Sequence, residues 1–319
     1  MNKERLPADA ALAANRIKSY IRETPLDYSP LFSELSGANV YLKLENLQHT
    51  GSFKLRGAFN KLLSMTDAEC EKGCVAASSG NHGAAIAYAL STLGAKGVIF
   101  VPEQTSSTKV DAIKRSGGDV RFFGTDGLDT EMHARQYATD HDMVYLSPYN
   151  DLQVIAGQGT IGVELAQQLA RIDVVFIAVG GGGLISGVGS FLKSIHPGVR
   201  IIACQPAASD VMTQSVRAGS ILELPSEPTL SDGTAGGIEA GAITFEICRD
   251  IADDYITVSE EQIAEAMRAF IDSHHMLLEG AAGVALAALQ AGPELYRGKN
   301  VVVVICGANI SREALKRVL

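Results

Sequence analysis

The run Val301-Val302-Val303-Val304-Ile305 contains no polar position, so as a strand it has no face to offer water. Strands with one wet face alternate apolar and polar residues, whereas strands apolar throughout are buried on both faces. Val174-Val175-Phe176-Ile177-Ala178-Val179 reads the same way, and Val199 to Cys204 nearly so. Only helices packed on each side of a mostly parallel sheet cover both faces of such strands, which makes the chain an α/β protein with parallel sheets flanked by helices. Its 319 residues are enough for two packed lobes.

The rest of the chain keeps a strand–helix rhythm. Residues 7–20 form an alanine-rich helical stretch that Thr24-Pro25-Leu26 breaks, and 40–44 alternates as a strand before the helical 59–65. From Gly73 onward, strands are expected near 74–77, 97–101, 120–123 and 143–145, with helices near 82–93, 107–116 and 128–140. A long helix over 152–170 precedes the strand 174–179, and further strands fall near 199–204, 255–258 and 300–306.

Several classes of function are disfavoured. A net charge of −9 without a basic run argues against a nucleic-acid partner. No apolar run reaches membrane-spanning length, and Met1-Asn2-Lys3-Glu4-Arg5 is not followed by the apolar core of a leader peptide. The five cysteines, Cys70, Cys74, Cys204, Cys248 and Cys306, are odd in number and scattered, as in a reduced, cytoplasmic chain. Cys70 and Cys74 have no second half-site at metal-ligand spacing.

Chemistry-bearing segments lie between these elements. In Thr50-Gly51-Ser52-Phe53-Lys54-Leu55-Arg56-Gly57-Ala58, Ser52 reads as an N-cap, which puts Lys54 in the first helical turn. The positive end of the helix dipole disfavours an ammonium there and favours the neutral amine. A neutral amine is a nucleophile that can form a Schiff base with an aldehyde. An ordinary surface lysine beside a glycine turn has the same spacing. Gly180-Gly181-Gly182-Gly183-Leu184 follows a strand and opens a helix, as a phosphate cradle does and as a turn under close helix–sheet packing also does. Neither the dinucleotide fingerprint nor the P-loop pattern can be read here, so the phosphate is not expected to be that of NAD or ATP.

Ser78-Ser79-Gly80-Asn81-His82-Gly83, at a strand-to-helix turn, offers donors to an anion and equally suits a helix cap. A histidine at a helix start is more often a packing or capping residue than a base. Cys306-Gly307-Ala308-Asn309 ends the last apolar strand, where α/β proteins bind ligands, and a buried structural cysteine fits there too. Asp232, in Ser231-Asp232-Gly233-Thr234, and Glu279, in Glu279-Gly280-Ala281, are site acids or cap residues. Asn309-Ile310-Ser311 fits the glycosylation pattern, which a cytoplasmic chain does not use.

Ser52-Phe53-Lys54-Leu55-Arg56-Gly57-Ala58 resembles the pyridoxal-phosphate lysine motif of the fold-type II enzymes, closest to the serine/threonine dehydratases and serine racemases, and the resemblance runs over nearly the whole chain in the family's order. It implies a two-lobed fold like that of the tryptophan synthase β subunit. A large cofactor-binding domain would span 1–66 and 147–319, with a small domain, 67–146, inserted into it and the substrate cleft between them. It implies pyridoxal 5′-phosphate on Lys54, with Phe53, Asn81 and Glu279 beside it and its phosphate on Gly180, Gly181, Gly182, Gly183 and Leu184. Cys306 would face the pyridine nitrogen, and a thiol is a weaker partner there than a carboxylate, leaving a weaker electron sink. Ser78, Gly80, Asn81 and His82 would gather the substrate carboxylate, beside Asp232. Ser79 would stand on the face opposite Lys54, where racemases carry their second acid/base; a serine there permits racemisation without establishing it.

The reaction implied is removal of water and then ammonia from a β-hydroxy-α-amino acid, with freed Lys54 taking the Cα proton. Threonine and serine are the default substrates. The stretch 232–239 and the pair His274-His275 also resemble dehydratases of hydroxyectoine catabolism, which implies a hydroxylated diamino acid. An amino-acid racemase is the alternative enzyme, and a non-catalytic amino-acid sensor on the same scaffold the alternative of another class. A homodimer or higher homo-oligomer is expected. Serine racemases bind a divalent cation through a glutamate just before a proline and through nearby aspartates. Here Gln205 precedes Pro206 and only Asp210 remains, so no metal is expected. The chain ends soon after Arg312, which implies no effector-binding domain of the biosynthetic threonine dehydratases.

Overall fold

The computed structural model describes residues 3–319; Met1 and Asn2, which open the stretch read for a leader, lie outside the described residues. Among the described residues ten strands form two sheets. In chain order they are β1 (Leu26–Tyr28), β2 (Asn39–Lys43), β3 (Cys74–Ala77), β4 (Gly97–Val101), β5 (Asp119–Phe122), β6 (Val144–Tyr145), β7 (Val174–Ala178), β8 (Arg200–Pro206), β9 (Asp254–Val258) and β10 (Asn300–Val304). The larger sheet has the order β1-β2-β10-β7-β8-β9 and the smaller β5-β4-β3-β6. β10 lies in the middle of the larger sheet between β2 and β7, with Val301 opposite both Val40 and Val174. That position explains its unbroken valine run, since Val301 to Val304 are fully buried.

Every pairing is parallel except β1 with β2. The mostly parallel arrangement expected from the apolar runs is the one that forms, with its antiparallel pairing at this edge. Three residues, Leu26 to Tyr28, are too few to show a period, and they follow the helix-breaking Pro25 directly. Exposed Tyr28 keeps this edge short and wet, and a short edge strand resists edge-to-edge pairing.

The helix Lys54–Leu63 joins the two sheets. Leu55, Ala58, Phe59 and Leu62 enter the core under the smaller sheet, beside Ile86, Leu90 and Ile99. Each large apolar side chain so buried contributes about 1.5–3 kcal/mol. Its other side meets the helix Leu152–Gln168 at Gly57 and Gly157, where a methyl on Gly157 would sit 2.6 Å from the Gly57 Cα. The small residues let the two backbones touch.

Behind that crossing lies an ionic knot whose Lys43, Glu45 and Arg56 are fully buried and whose Glu164 is nearly so. Arg56 donates through Nε and Nη2 to both oxygens of Glu45, each at 2.8 Å, and through Nη1 and Nη2 to Glu164 at 2.6 and 2.9 Å. Lys43 donates to Glu164 at 2.5 Å and to the Thr24 carbonyl at 2.8 Å. Two cations face two carboxylates, so the knot is neutral and its donors are spent within it.

Candidate active site

Lys54 is the first residue of its helix, as expected, but Ser52 is not its cap. Phe53 holds the N-cap position with no side-chain cap bond. Ser52 instead pairs with Gly307 in an isolated antiparallel bridge. The Phe53 N–H donates to the Cys306 carbonyl at 3.1 Å and the Ala308 N–H to the Gly51 carbonyl at 2.9 Å. The extension of β10 therefore captures the backbone that a cap would have used.

Three strand ends and the lysine meet on one cavity of about 2040 Å³, larger than a single small ligand needs. The end of β7 brings Gly180, Gly181, Gly182, Gly183 and Leu184; the end of β3 brings Ser78, Ser79, Gly80, Asn81 and His82; the end of β10 brings Cys306. Phe53, Lys54, Asp232 and Glu279 line the same space. Residues scattered over 54 to 306 thus share one site, at the carboxyl ends of parallel strands.

The Lys54 amine donates to the Pro148 carbonyl at 2.9 Å. Burial pushes its pKa from 10.5 down to about 8, while Glu279 and Cys306 pull the other way. Burial raises the Glu279 carboxyl to about 7, against the Asn81 amide that favours its charged form. An amine near 8 and a carboxyl near 7 both exchange protons close to neutral pH. Asn81 Nδ2 donates to both Glu279 oxygens at 2.9 Å, and Asn309 Nδ2 donates to Asn81 Oδ1 at 2.6 Å. The Cys306 thiol lies 3.8 Å from Glu279 Oε1, and burial raises it well above the ordinary thiol range.

His82 is buried with Nε2 on the Leu146 carbonyl at 2.9 Å, and burial lowers its pKa to about 3. It stays neutral and structural, as a histidine at a helix start commonly does. Ser78 Oγ accepts the Gly80 N–H at 3.1 Å, Ser79 is half-buried, and Gly80 is the N-cap of the helix Asn81–Leu93. Asp232 is exposed and pairs with Lys109 at 3.7 Å.

The glycine turn is a cradle a side chain would fill. A methyl on Gly181 would sit 2.4 Å from the Tyr149 ring. Gly182 has φ +87°, which side chains rarely adopt, and caps the helix Gly183–Ile195. An N-terminus with free N–H groups and no Cβ in the way suits a phosphate. Close to Lys54, the buried hydroxyl oxygens of Thr50 and Ser52 have no hydrogen-bond partner among the described residues.

Residues 17–307 match the family described as pyridoxal-phosphate dependent enzyme. The chain belongs to that family. The catabolic L-threonine dehydratase of Escherichia coli strain K12 is 37% identical over 312 residues, covering 97% of this chain and 94% of that protein. The serine racemase of Arabidopsis thaliana is 37% identical over 322 residues, covering 98% and 97%. The solved structure of processed threonine deaminase isoform 2 from Solanum lycopersicum matches with a TM-score of 0.94 at 34% identity, covering 100% of this chain and 93% of that one.

The cofactor of this pyridoxal-phosphate enzyme is pyridoxal 5′-phosphate, and the residues present fit it: a buried, easily neutralised amine, a Cβ-free phosphate cradle, and a thiol at a strand end. Sequence reasoning missed Tyr149, Arg135, Glu131 and Glu239, which line the same cavity. Glu239 closes the stretch 232–239 read above for its resemblance; nothing local marks the other three, although Tyr149 follows Pro148 at the start of the second helix-rich stretch. Asn309, which the sequence places at the strand end 306–309 and in a glycosylation pattern, ties Asn81 to the Thr50 carbonyl through its side chain.

Gln205 is buried, and its Oε1 accepts from the Thr213 N–H and hydroxyl, both at 2.7 Å. Among the described residues no group of three or more His, Cys, Asp or Glu side chains could hold a metal ion. A chelator should therefore leave turnover within about twofold of its starting value. A large loss restored by magnesium or calcium would show that oxygen ligands assemble elsewhere.

Proposed function

We propose that this enzyme is an ammonia-lyase (dehydratase) that converts a β-hydroxy-α-amino acid, by default threonine or serine, to a 2-oxo acid and ammonia. The observation that carries it is the Lys54 amine, sunk at the head of its helix, its pKa lowered by burial to about 8, and facing one cavity with the glycine turn and the serine loop. When bound, the cofactor supplies an electron sink for the Cα carbanion. Lys54 takes the Cα proton. The N–H and hydroxyl groups of Ser78, Gly80, Asn81 and His82 orient the substrate carboxylate. Asn81, fixed by Glu279 and Asn309, cannot swing away from the site. Glu279, near pKa 7, returns or accepts protons on the cofactor's side of the cavity. A sensor would have no use for so costly a buried amine, and a yellow holoprotein that releases 2-oxo acid from L-threonine or L-serine is the direct test.

Racemisation is the second reading, favoured by Ser79 on the cavity wall. Lys54 serves one face of a planar carbanion, and the opposite face needs its own proton donor. Ser79→Ala should remove racemisation and use of D-substrates while keeping most L-substrate elimination, read by chiral chromatography of residual serine beside 2-oxo acid release. Continued racemisation by the variant would make Ser79 a carboxylate-loop residue only.

The finer assignments belong to the same proposal: a cofactor domain of 1–66 and 147–319 with 67–146 inserted, a homodimer or higher homo-oligomer, and a cytoplasmic location. No described helix is long and apolar enough to cross a membrane. The resemblance of 232–239 to the hydroxyectoine branch adds hydroxylated diamino acids to the substrates worth assaying.

A further inference from the structure

One wall of the cavity, used neither by the lysine nor by the glycine and serine loops, is charged. Arg135, on the helix Gly127–Asp140, donates to Glu131 Oε1 one turn earlier at 2.7 Å and to Glu239 Oε2 at 2.5 Å. The guanidinium sits 4.3 Å from the centroid of the Tyr145 ring, which holds it in place. Glu239 belongs to residues 219–242, a stretch with neither helix nor strand that lies between two helices of the larger-sheet side. A stretch of that length without regular structure is commonly functional.

A chain of contacts runs from the reacting end to this wall. Lys54 Nζ reaches the Pro148 carbonyl, Tyr149 is the next residue, and the Glu239 N–H donates to the Tyr149 hydroxyl at 3.0 Å. The wall's charge does not cancel: two carboxylates face one guanidinium. Glu239 Oε1 is buried and has no hydrogen-bond partner among the described residues. The Glu131, Arg135 and Glu239 side chains stay 30%, 39% and 23% exposed, so a ligand in the cavity can touch them. The neighbouring Lys109–Asp232 pair is balanced and adds no net charge.

We infer that Glu131, Arg135 and Glu239 form the subsite for the substrate's side chain and select β-hydroxy-α-amino acids by the charge at its far end. A side chain ending in a carboxylate is refused, and one ending in a hydrogen-bond donor, a cation above all, is accepted. The inference rests on the lyase reading above. An anionic end would meet uncompensated negative charge and a guanidinium already shared between two carboxylates. A donor end would find the partly exposed carboxylates of Glu131 and Glu239, which share one guanidinium between them.

The test is the ratio of kcat/KM for 3-hydroxyaspartate to kcat/KM for threonine, measured on the holoenzyme of wild type, Glu239→Gln and Glu131→Gln. Each amide keeps the side chain's shape and removes one negative charge. The ratio cancels any loss of active enzyme. Wild type should prefer threonine, and the ratio should move toward 3-hydroxyaspartate by about tenfold in each variant, the effect of one like charge a few ångströms away in a partly wet site. A second readout needs no turnover: binding of L-aspartate, L-alanine and L-ornithine, followed by the cofactor's visible absorbance. Wild type should bind ornithine most tightly and aspartate least, and the variants should narrow that order. Equal use of 3-hydroxyaspartate and threonine by wild type, or a ratio that stays within about twofold in both variants, overturns the subsite. Should wild type release 2-oxo acid from none of these amino acids, the lyase reading fails, and the absorbance titration still decides the wall.

Discussion

Lys54→Ala folds and takes up no cofactor covalently, and its 2-oxo acid release falls by at least about 10³-fold. The loss combines the nucleophile that anchors the cofactor with the base that removes the Cα proton. The fold survives because the amine makes one hydrogen bond, to Pro148, and its burial works against its charged form. A far-ultraviolet spectrum like that of wild type with no visible cofactor band is the expected pair of readings. The pH dependence has a definite sign. Capture of an aldehyde needs the neutral amine, so cofactor uptake by the apoprotein should speed up as pH rises through about 8, not through the ordinary lysine value of 10.5. Full ammonia release by the alanine variant would move the chemistry away from Lys54, and an uptake midpoint above 10 would show the amine to be wet.

Arg56→Leu should cost about 3–5 kcal/mol of stability, the range found when one partner of a buried ion pair is removed and the other is left without compensation. Two residues after the lysine, Arg56 holds both Glu45 and Glu164, and its side chain and that of Glu45 are fully buried. Glu45 has nowhere to find water, and Lys43 alone cannot neutralise two carboxylates. The same geometry sets an acid limit. Burial raises the Glu45 carboxyl, but Arg56, with Lys43 and the Thr24 hydroxyl, offsets it and leaves the pKa below its ordinary 4.5. A carboxyl lowered on folding stabilises fully above its unfolded value, and that stability is lost as pH falls through the folded one. Arg56→Lys should fall between, since a point charge cannot make the two-oxygen contact with Glu45. The measurement is urea unfolding at neutral pH, and a loss below about 1 kcal/mol would mean that the knot relaxes around the gap.

Both predictions concern the segment that reads most clearly as a sequence, and the comparison shows where legibility stops. The apolar runs at 174–179 and 301–305 and the strand–helix rhythm from 74 onward appear in the structure within a residue or two. For the two runs the reason is burial on both faces, which leaves a composition signal that no neighbour can rewrite. The edge strand Leu26–Tyr28 left no such signal, since three half-exposed residues need not be apolar. Ser52 had the chemistry of a cap but pairs instead with Gly307, 255 residues away, whose approach depends on β10 lying next to β2.

Alone, the residues determined that the chain must bury parallel strands under helices, that a lysine stands at a helix head, and that four glycines open a helix where an anion fits. These are local matters of hydropathy, dipole and Cβ sterics, and they travel with the sequence. The tertiary structure alone decided that Lys54 loses water: burial lowers its pKa although Glu279 and Cys306 pull it up, and its amine finds the Pro148 carbonyl. It also decided that Arg135 meets Glu239 and that Tyr149 presses on Gly181. The first joins residues 104 positions apart, and the second joins the chain after β6 to the chain after β7, in different sheets. No period or motif encodes such a meeting, which exists only when the two sheets bring their strand ends to one cavity.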